Sequence, residues 1–495
     1  MGRRCVLIAL LTALPYFSAS ATIRNVPGQY SSIQSAINAC ATGDTVLAAM
    51  GVYNEVINFF GKSITVGSQY LTTGDSSYIL STIIIGDIYN PTVSFTSGED
   101  STTAIIGFTI KGVFSSDYFD ASGIYCHNSS PIIAHNIIRD HIGLYGGGIH
   151  LLNSHPLIMN NLILNNRGSY WGGGIYSERS WATIKGNIIR GNHGVEGAGM
   201  NCWGSTPSVI SDNVFEYDSA YFGGGAIFIG YHEDPENHSE AIFYNNILRN
   251  NYANSGGAMV FCHGGRGYFA NNIIYDNHAT YYGGVISCYP EILNFTNCIF
   301  WGNTTDSTSQ VDPDINYTFC DIEGGQLGLG NINSDPLFRN PESGDFHLMS
   351  TACGDPANSP CIDAGNLWMS DSTLNCLWGL GESRSDMGAY GGGIISQVGV
   401  DDPSGELPQS LSLSQNYPNP FNPNTAISYN VPKTSHVSLE IYDILGRKVE
   451  TLVNREEQAG PHQAIWNAQD AASGLYFYRL QAGEYSETRK MLLLR

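Results

Sequence analysis

The sequence predicts an all-β chain, a parallel β-helix solenoid followed by a small β-sandwich, on three observations. Asn and Gly markers recur about every 26 residues through the middle of the chain. The composition holds 57 Gly but only 13% charged residues, which suits stacked strands and turns better than a helical bundle. The C-terminal stretch leaves that beat for short alternating apolar and polar runs with turns between.

The first element is "MGRRCVLIALLTALPYFSASA", residues 1–21. Arg3 and Arg4 give a positive start, Val6 to Leu14 an apolar centre, and Ala19-Ser20-Ala21 small residues for cleavage. This predicts a secretory signal peptide, since the apolar run is too short to span a membrane. Its loss removes two Arg and no acid, so 22 basic against 44 acidic residues becomes 20 against 44, or −24. Such a surface repels phosphate backbones and argues against a nucleic-acid partner. It also fits solubility outside the cell, or cation binding. Cys5 leaves as well, so ten of the eleven cysteines remain, and export permits disulfides. Cys353 and Cys361, close together in a loop-rich region, are the pair most readily joined.

The second element is the repeat. Asn136, Asn161, Asn187, Asn213, Asn246 and Asn272 each open an Asn-apolar-apolar triplet, at steps of 25, 26, 26, 33 and 26. Cys298 takes this place in the next turn. Five residues further on stand His141, Asn166, Asn192, Asp218, Asn251, Asn277 and Asn303, on the same beat. Gly146, Gly172, Gly197, Gly223, Gly256 and Gly283 follow it too. Three markers with one period and one insertion point to a solenoid. Runs such as "NIIRD" and "NILRN" show no helical period, and the Leu framework of leucine-rich repeats is absent. A parallel β-helix remains, with three short strands per coil. Coils stack at about 4.8 Å, so equivalent residues form ladders. Asn suits a turn ladder because it tolerates the left-handed conformation and its amide can bond the Asn above and below. Gly172 to Gly174 in "YWGGGIY" form one rung of a Gly ladder at a tight corner.

With these residues in view, the chain resembles the right-handed parallel β-helix proteins of the pectin-lyase-like group, over residues 22–395. "YSSIQSAINACATGDTVLAAMGVYNEVINFFGKSITVGS" fits the opening of that family, and "AIIGFTIKG" its coils. "SIQSAINA" reads as an amphipathic helix that caps the first coil and blocks edge pairing. "INSDPLFRNPESGDFHLMSTACGDPANSPCIDAG" and "SDMGAYGGG" resemble its closing segment. The resemblance implies the fold and leaves the activity open.

A linker over 396–411, with Asp401, Asp402, Pro403 and Pro408, leads to the last element, residues 412–495. "HVSLEIYD" and "LYFYRLQAG" alternate as strands of a small antiparallel sandwich. "NYPNPFNPNTAISY", "IYDILGRKV" and "SGLYFYRL" resemble the C-terminal sorting domain of type IX secretion cargo, an immunoglobulin-like fold. The resemblance implies contact with the type IX machinery and passage across the outer membrane of a Gram-negative cell, to release or surface attachment.

Two groups are candidates for chemistry. Tyr145, Trp171, Phe222 and Tyr282 precede their Gly clusters and form a column interrupted by Glu196 and Ser255. Exposed rings spaced at the strand distance suit a polysaccharide; buried ones would only cover the Gly corner. The 33-residue step contains "GYHEDPENHSEA", with His232, Glu233, Asp234, Glu236, His238 and Glu240. Glu233, Asp234 and Glu236 are the candidate catalytic acids and also candidate Ca²⁺ ligands, or else a solvated acidic loop. No EF-hand or zinc spacing is present, so no residue is assigned to a metal. Asp140, Asp218 and Asp276 are scattered among rungs and do not make a hydrolase pair. Arg139, Arg190 and Arg249 share a ladder place with Leu164, Glu216 and Tyr275 and read as an outward face. Cys126, Cys202 and Cys288 read as small core residues, with a Cys262–Cys288 bridge between adjacent coils left open. The expectation is a monomeric, exported protein that binds or processes polysaccharide, as a polysaccharide lyase or glycoside hydrolase if it is an enzyme. The alternative is a non-catalytic adhesin or structural rod.

Overall fold

The computed structural model describes residues 21–391 and 412–493, apart from 114–121, 205–207, 231–239, 262–265, 283–285, 289–292, 307–314, 368, 370, 372–373, 377–378, 383, 414–415, 417–423, 432, 444–446, 458–459, 470, 472–473 and 484. The expected signal peptide, save Ala21, and the whole of the expected linker lie outside these residues. The chain divides into two compact units, residues 1–394 and 395–495.

The first unit is a right-handed parallel β-solenoid. Among the described residues it has four parallel sheets of twelve, eleven, seven and nine strands, numbered here in the order the chain visits them. One coil runs through Ile132–Ala134, Ile137–Arg139, Ile142–Tyr145 and Ile149–Leu152, one strand per sheet. The expected three strands per coil are therefore four from Ile142 onward. The extra strand forms the third sheet, whose short runs such as "HGVE" lack the β-branched signal of the other sheets.

Equivalent residues of successive coils pair in register, Ile133 with Ile158 and Ile158 with Ile184, and their inward side chains make one continuous apolar core. The Asn ladder turns the chain from the first sheet to the second. Asn161 Oδ1 accepts the Asn136 N–H at 2.9 Å, and Asn187 Oδ1 accepts the Asn161 N–H at 2.9 Å. Each amide group also donates to the next rung, Asn161 Nδ2 to Asn187 Oδ1 at 3.0 Å. These Asn are buried and do not take the left-handed conformation themselves. The residue before each does, as at Asn160, Asp212, Asn245 and Asn271. The preceding residue makes the bend, and the ladder Asn satisfies the backbone groups that the bend would leave buried and unpaired.

The N-terminal end of the core is covered by the helix Ile33–Ala39, which buries Ile33, Ala36 and Ile37. Ser32 and Ser35 cap it reciprocally, and Glu55 accepts the N–H groups of Ile33 and Gln34 at its positive end. At the other end a segment with the antiparallel pair Phe338–Asn340 and Asp345–Leu348 packs on the outer face of the second sheet, against Ile247, Ile273 and Ile299. This segment covers one rung of the Arg ladder expected to face outward. Glu216 is buried between Arg190 and Arg249, and Arg249 donates to its carboxylate at 2.7 Å and to the Pro341 carbonyl at 3.0 Å. Cys353 is bonded to Cys376, 23 residues away, and not to Cys361. Cys361 is a buried free thiol 3.2 Å from Asp321 Oδ2. Cys126 and Cys202 are buried core thiols, while Cys262 lies outside the described residues.

In the second unit, Asn424–Val431, Gly460–Asn467 and Ser412–Leu413 form one antiparallel sheet, and Lys448–Glu457, Ser435–Asp443, Gly474–Ala482 and Tyr485–Leu493 another. Their apolar faces enclose Trp466, Tyr478, Ile427 and Leu439, as the alternation in "HVSLEIYD" requires.

Candidate functional site

The third sheet carries the most chemically distinctive surface of the first unit. The first residue of each of its strands pairs in register along one column: Ile142, Arg167, His193, Ser219, Tyr252, His278 and Thr304. The second residues are Gly143, Gly168, Gly194, Ala220, Ala253 and Ala279, and the three Ala are buried. There is no room behind them for larger groups. A Cβ on Gly168 would stand 2.2 Å from the Trp171 carbonyl oxygen.

Arg167, His193, Ser219, Tyr221, Tyr252 and Asn254 line a cleft of about 700 Å³ on this sheet. No carboxylate is among its described lining residues. The Ser169 hydroxyl, also in the lining, is buried without a hydrogen-bond partner. Partial burial, with the Arg167 charge beside it, holds the His193 imidazole below its ordinary pKa. At the end of that strand stands Glu196, in register with Trp171 and Gly223. Burial raises its carboxyl above the usual range.

Gly172 closes the corner with φ 55, and a Cβ there would meet the Ile175 carbonyl oxygen at 2.6 Å. Gly173 and Gly174 are held to glycine by the next coil instead, with His193 O at 2.4 Å and Gly199 O at 2.5 Å from an added Cβ.

The four expected column residues are placed differently from one another. Tyr145 and Trp171 are half-buried with ring centroids 5.3 Å apart. Trp171 then turns away from the column. It stacks on Trp203 of the fourth sheet at 5.5 Å and 9°, and on Tyr176 at 5.8 Å. Phe222 is 57% exposed. Tyr282 pairs with Ser255 through its backbone, and its side chain lies outside the described residues. Other exposed rings of this sheet stand one place earlier: Tyr170 at 56%, Tyr221 at 67% and Tyr281 at 62%. Beside Tyr145 and Trp171, the rings of Tyr125, His150 and Tyr176 form a tight cluster on the fourth sheet, where burial lowers the His150 pKa to about 4.

Glu233, Asp234 and Glu236 lie outside the described residues. The strands flanking their loop, Ile227–Gly230 and Glu240–Tyr244, belong to the fourth and first sheets and not to the third. Among the described residues no three His, Cys, Asp or Glu side chains gather as metal ligands. Arg167, His193, Tyr221, Tyr252 and Asn254 escaped the sequence reading. Reading the residue directly after each second-ladder position, on the same beat, would have exposed the column of Arg167, His193 and Tyr252.

Comparison with known families agrees with this architecture. Residues 99–234 match the right handed beta helix region family, and residues 415–494 match the secretion system C-terminal sorting domain family. The chain is a right-handed parallel β-helix repeat protein. In particular, it joins that β-helix region to a C-terminal type IX secretion sorting domain, which marks it as a secreted or cell-surface protein. No curated protein matches it. Among solved structures, pectate lyase Pel9A is 14% identical, with 74% of this chain and 96% of that one covered and a TM-score of 0.42. Pectin methylesterase PemA from Erwinia chrysanthemi is 13% identical, covering 48% of this chain and 80% of its own, with a TM-score of 0.33. The PL6 family alginate lyase AlyGC is 14% identical, covering 67% and 56%, with a TM-score of 0.32.

Proposed function

We propose that the protein is exported to the surface of a Gram-negative bacterium, where its third sheet binds an anionic polysaccharide. One observation carries this reading. On a chain of net charge −22, the Arg167–His193 cleft has no carboxylate in its described lining and is flanked by exposed aromatic rings. Arg pairs with carboxylate or sulfate through directed N–H donors, and the rings offer flat faces to sugars.

For turnover, the same strand holds His193, whose imidazole lies below its ordinary pKa and is able to take a proton, and Glu196, whose carboxyl is raised above the usual range. The reading in which the protein only adheres uses the same cleft without these two groups. A glycan array combined with assays for new reducing ends and unsaturated products, with and without Ca²⁺, tests both readings. Retention of acidic glycans over neutral ones is expected. Equal retention of both, or of neither, overturns the binding site. Products that vanish in Glu196→Gln or His193→Ala would establish turnover, and retention without products would leave an adhesin. Ca²⁺-dependent products that vanish in the Glu233, Asp234 and Glu236 variants would instead bring the acidic loop into the mechanism.

A further inference from the structure

The third-sheet strands alternate in length along the solenoid. Arg167–Trp171, Ser219–Gly223 and His278–Tyr282 have five residues, while His193–Glu196 and Tyr252–Ser255 between them have four. The register accommodates the added residue by a shift in each pairing. Trp171, Glu196, Gly223, Ser255 and Tyr282 remain aligned at the strand ends. The residue before this row is therefore Tyr170, Phe222 and Tyr281 on the five-residue strands, with exposures of 56%, 57% and 62%. On the four-residue strands the same place holds Val195 and Asn254, which line the cleft. Exposed rings thus recur on every second coil, roughly 9.6 Å apart at twice the strand spacing. That distance is about the length of two linked pyranoses.

We propose that this face holds a polysaccharide chain lying along the solenoid axis whose equivalent sugar faces recur every second residue, with every other sugar stacked on Tyr170, Phe222 or Tyr281. The substrate class is a glycan with a two-sugar repeat, supplied either by an alternating disaccharide polymer or by a homopolymer in a twofold conformation. The intervening sugars lie over the four-residue coils, where Val195 and Asn254 hold the equivalent place and line the cleft together with His193. This rests on the polysaccharide-binding reading above and adds a periodicity to it.

The test is affinity against chain length, with size-defined oligosaccharides of an alternating anionic polymer such as hyaluronan and of a homopolymer such as polygalacturonate. Binding to the full-length mature protein is expected to strengthen in steps of two sugars up to five, the length that spans three rings. Each step should be roughly threefold to tenfold, the scale of one aromatic contact. Steps with both polymers point to a twofold homopolymer conformation, and steps with hyaluronan alone to an alternating sequence. Affinity that rises evenly with each sugar overturns the two-coil repeat while leaving the binding site intact. No binding of any acidic oligosaccharide removes the site itself. Phe222→Ala deletes the central ring from an exposed position and is expected to abolish the step from one to three sugars and keep that from three to five, with an unchanged melting temperature. An unaltered length profile in that variant contradicts the proposal.

Discussion

Two residues interrupt the second ladder, and they strain it in opposite directions. His141 fills an Asn place, buried, with Nε2 3.2 Å from the Ile110 carbonyl and its backbone N–H given to Asn166 Oδ1. Burial lowers its pKa from 6.5 to about 4. The fold therefore favours the neutral ring. Its stability is complete above the unfolded pKa of about 6.5 and falls as the pH drops towards 4, by about 3 kcal/mol once below both values. Asp218 is the reverse case. Its Oδ1 accepts from Asn192 N at 2.7 Å and Asn192 Nδ2 at 3.0 Å, while Oδ2 is buried and unpartnered. Burial raises its pKa well above 3.8. Protonation turns Oδ2 into a donor, the role that the amide plays at Asn251. Its contribution is complete below the unfolded pKa and is lost as the pH rises through the folded one. His141→Asn is expected to flatten the acid limb of a melting-temperature profile, and Asp218→Asn to raise stability at neutral and alkaline pH. Unchanged profiles would show that neither group titrates in the fold. The sequence placed both residues on the ladder. It could not show their protonation states, which depend on burial from every side.

At the level of the coil, the ladders bind one turn to the next. Removing the Asn187 side chain leaves the Asn161 N–H without its acceptor, takes from the Asn161 amide one acceptor beside the Ile133 and Met159 carbonyls, and opens a buried gap. Asn187→Ala is expected to cost about 3 kcal/mol, from one or two buried groups left unpaired, measurable by denaturant unfolding. Asn187→Asp tests the same contact, since a carboxylate keeps the acceptor but loses the donor to Asn213. A loss below about 1 kcal/mol for the alanine variant would mean that solvent reaches the turn. This ladder was legible because its period is rigid and Asn is uncommon among apolar neighbours. Of the exposed rings only Phe222 was, because of the length alternation in the third sheet. An added residue at Tyr170 or Tyr281 changes which side chain meets solvent while every strand end stays in register. A column read at fixed steps consequently found Trp171, which turns to stack on Trp203. The covered Arg249 was missed for a different reason. The segment that buries it begins 92 residues later at Pro341, beyond the reach of any local pattern.

At the scale of the whole molecule, two units divide the work. The solenoid offers a long surface on which a repeated strand becomes a repeated contact, and the C-terminal unit supplies the sorting signal. Deleting residues 412–495 is expected to leave the solenoid folded, since the two units have separate apolar cores. The truncated protein should fail to reach the cell surface, as fractionation and surface labelling would show. The functional face is more local. Arg167 is the exposed cation of the cleft whose side chain is held in no described ion pair. The most direct measurement is the equilibrium binding of one anionic oligosaccharide to the wild-type protein and to Arg167→Ala, side by side at low salt. Loss of a charged hydrogen bond is expected to weaken binding by roughly tenfold to a hundredfold, with the melting temperature unchanged. Equal affinities in the two proteins would contradict the third-sheet cleft as the glycan site.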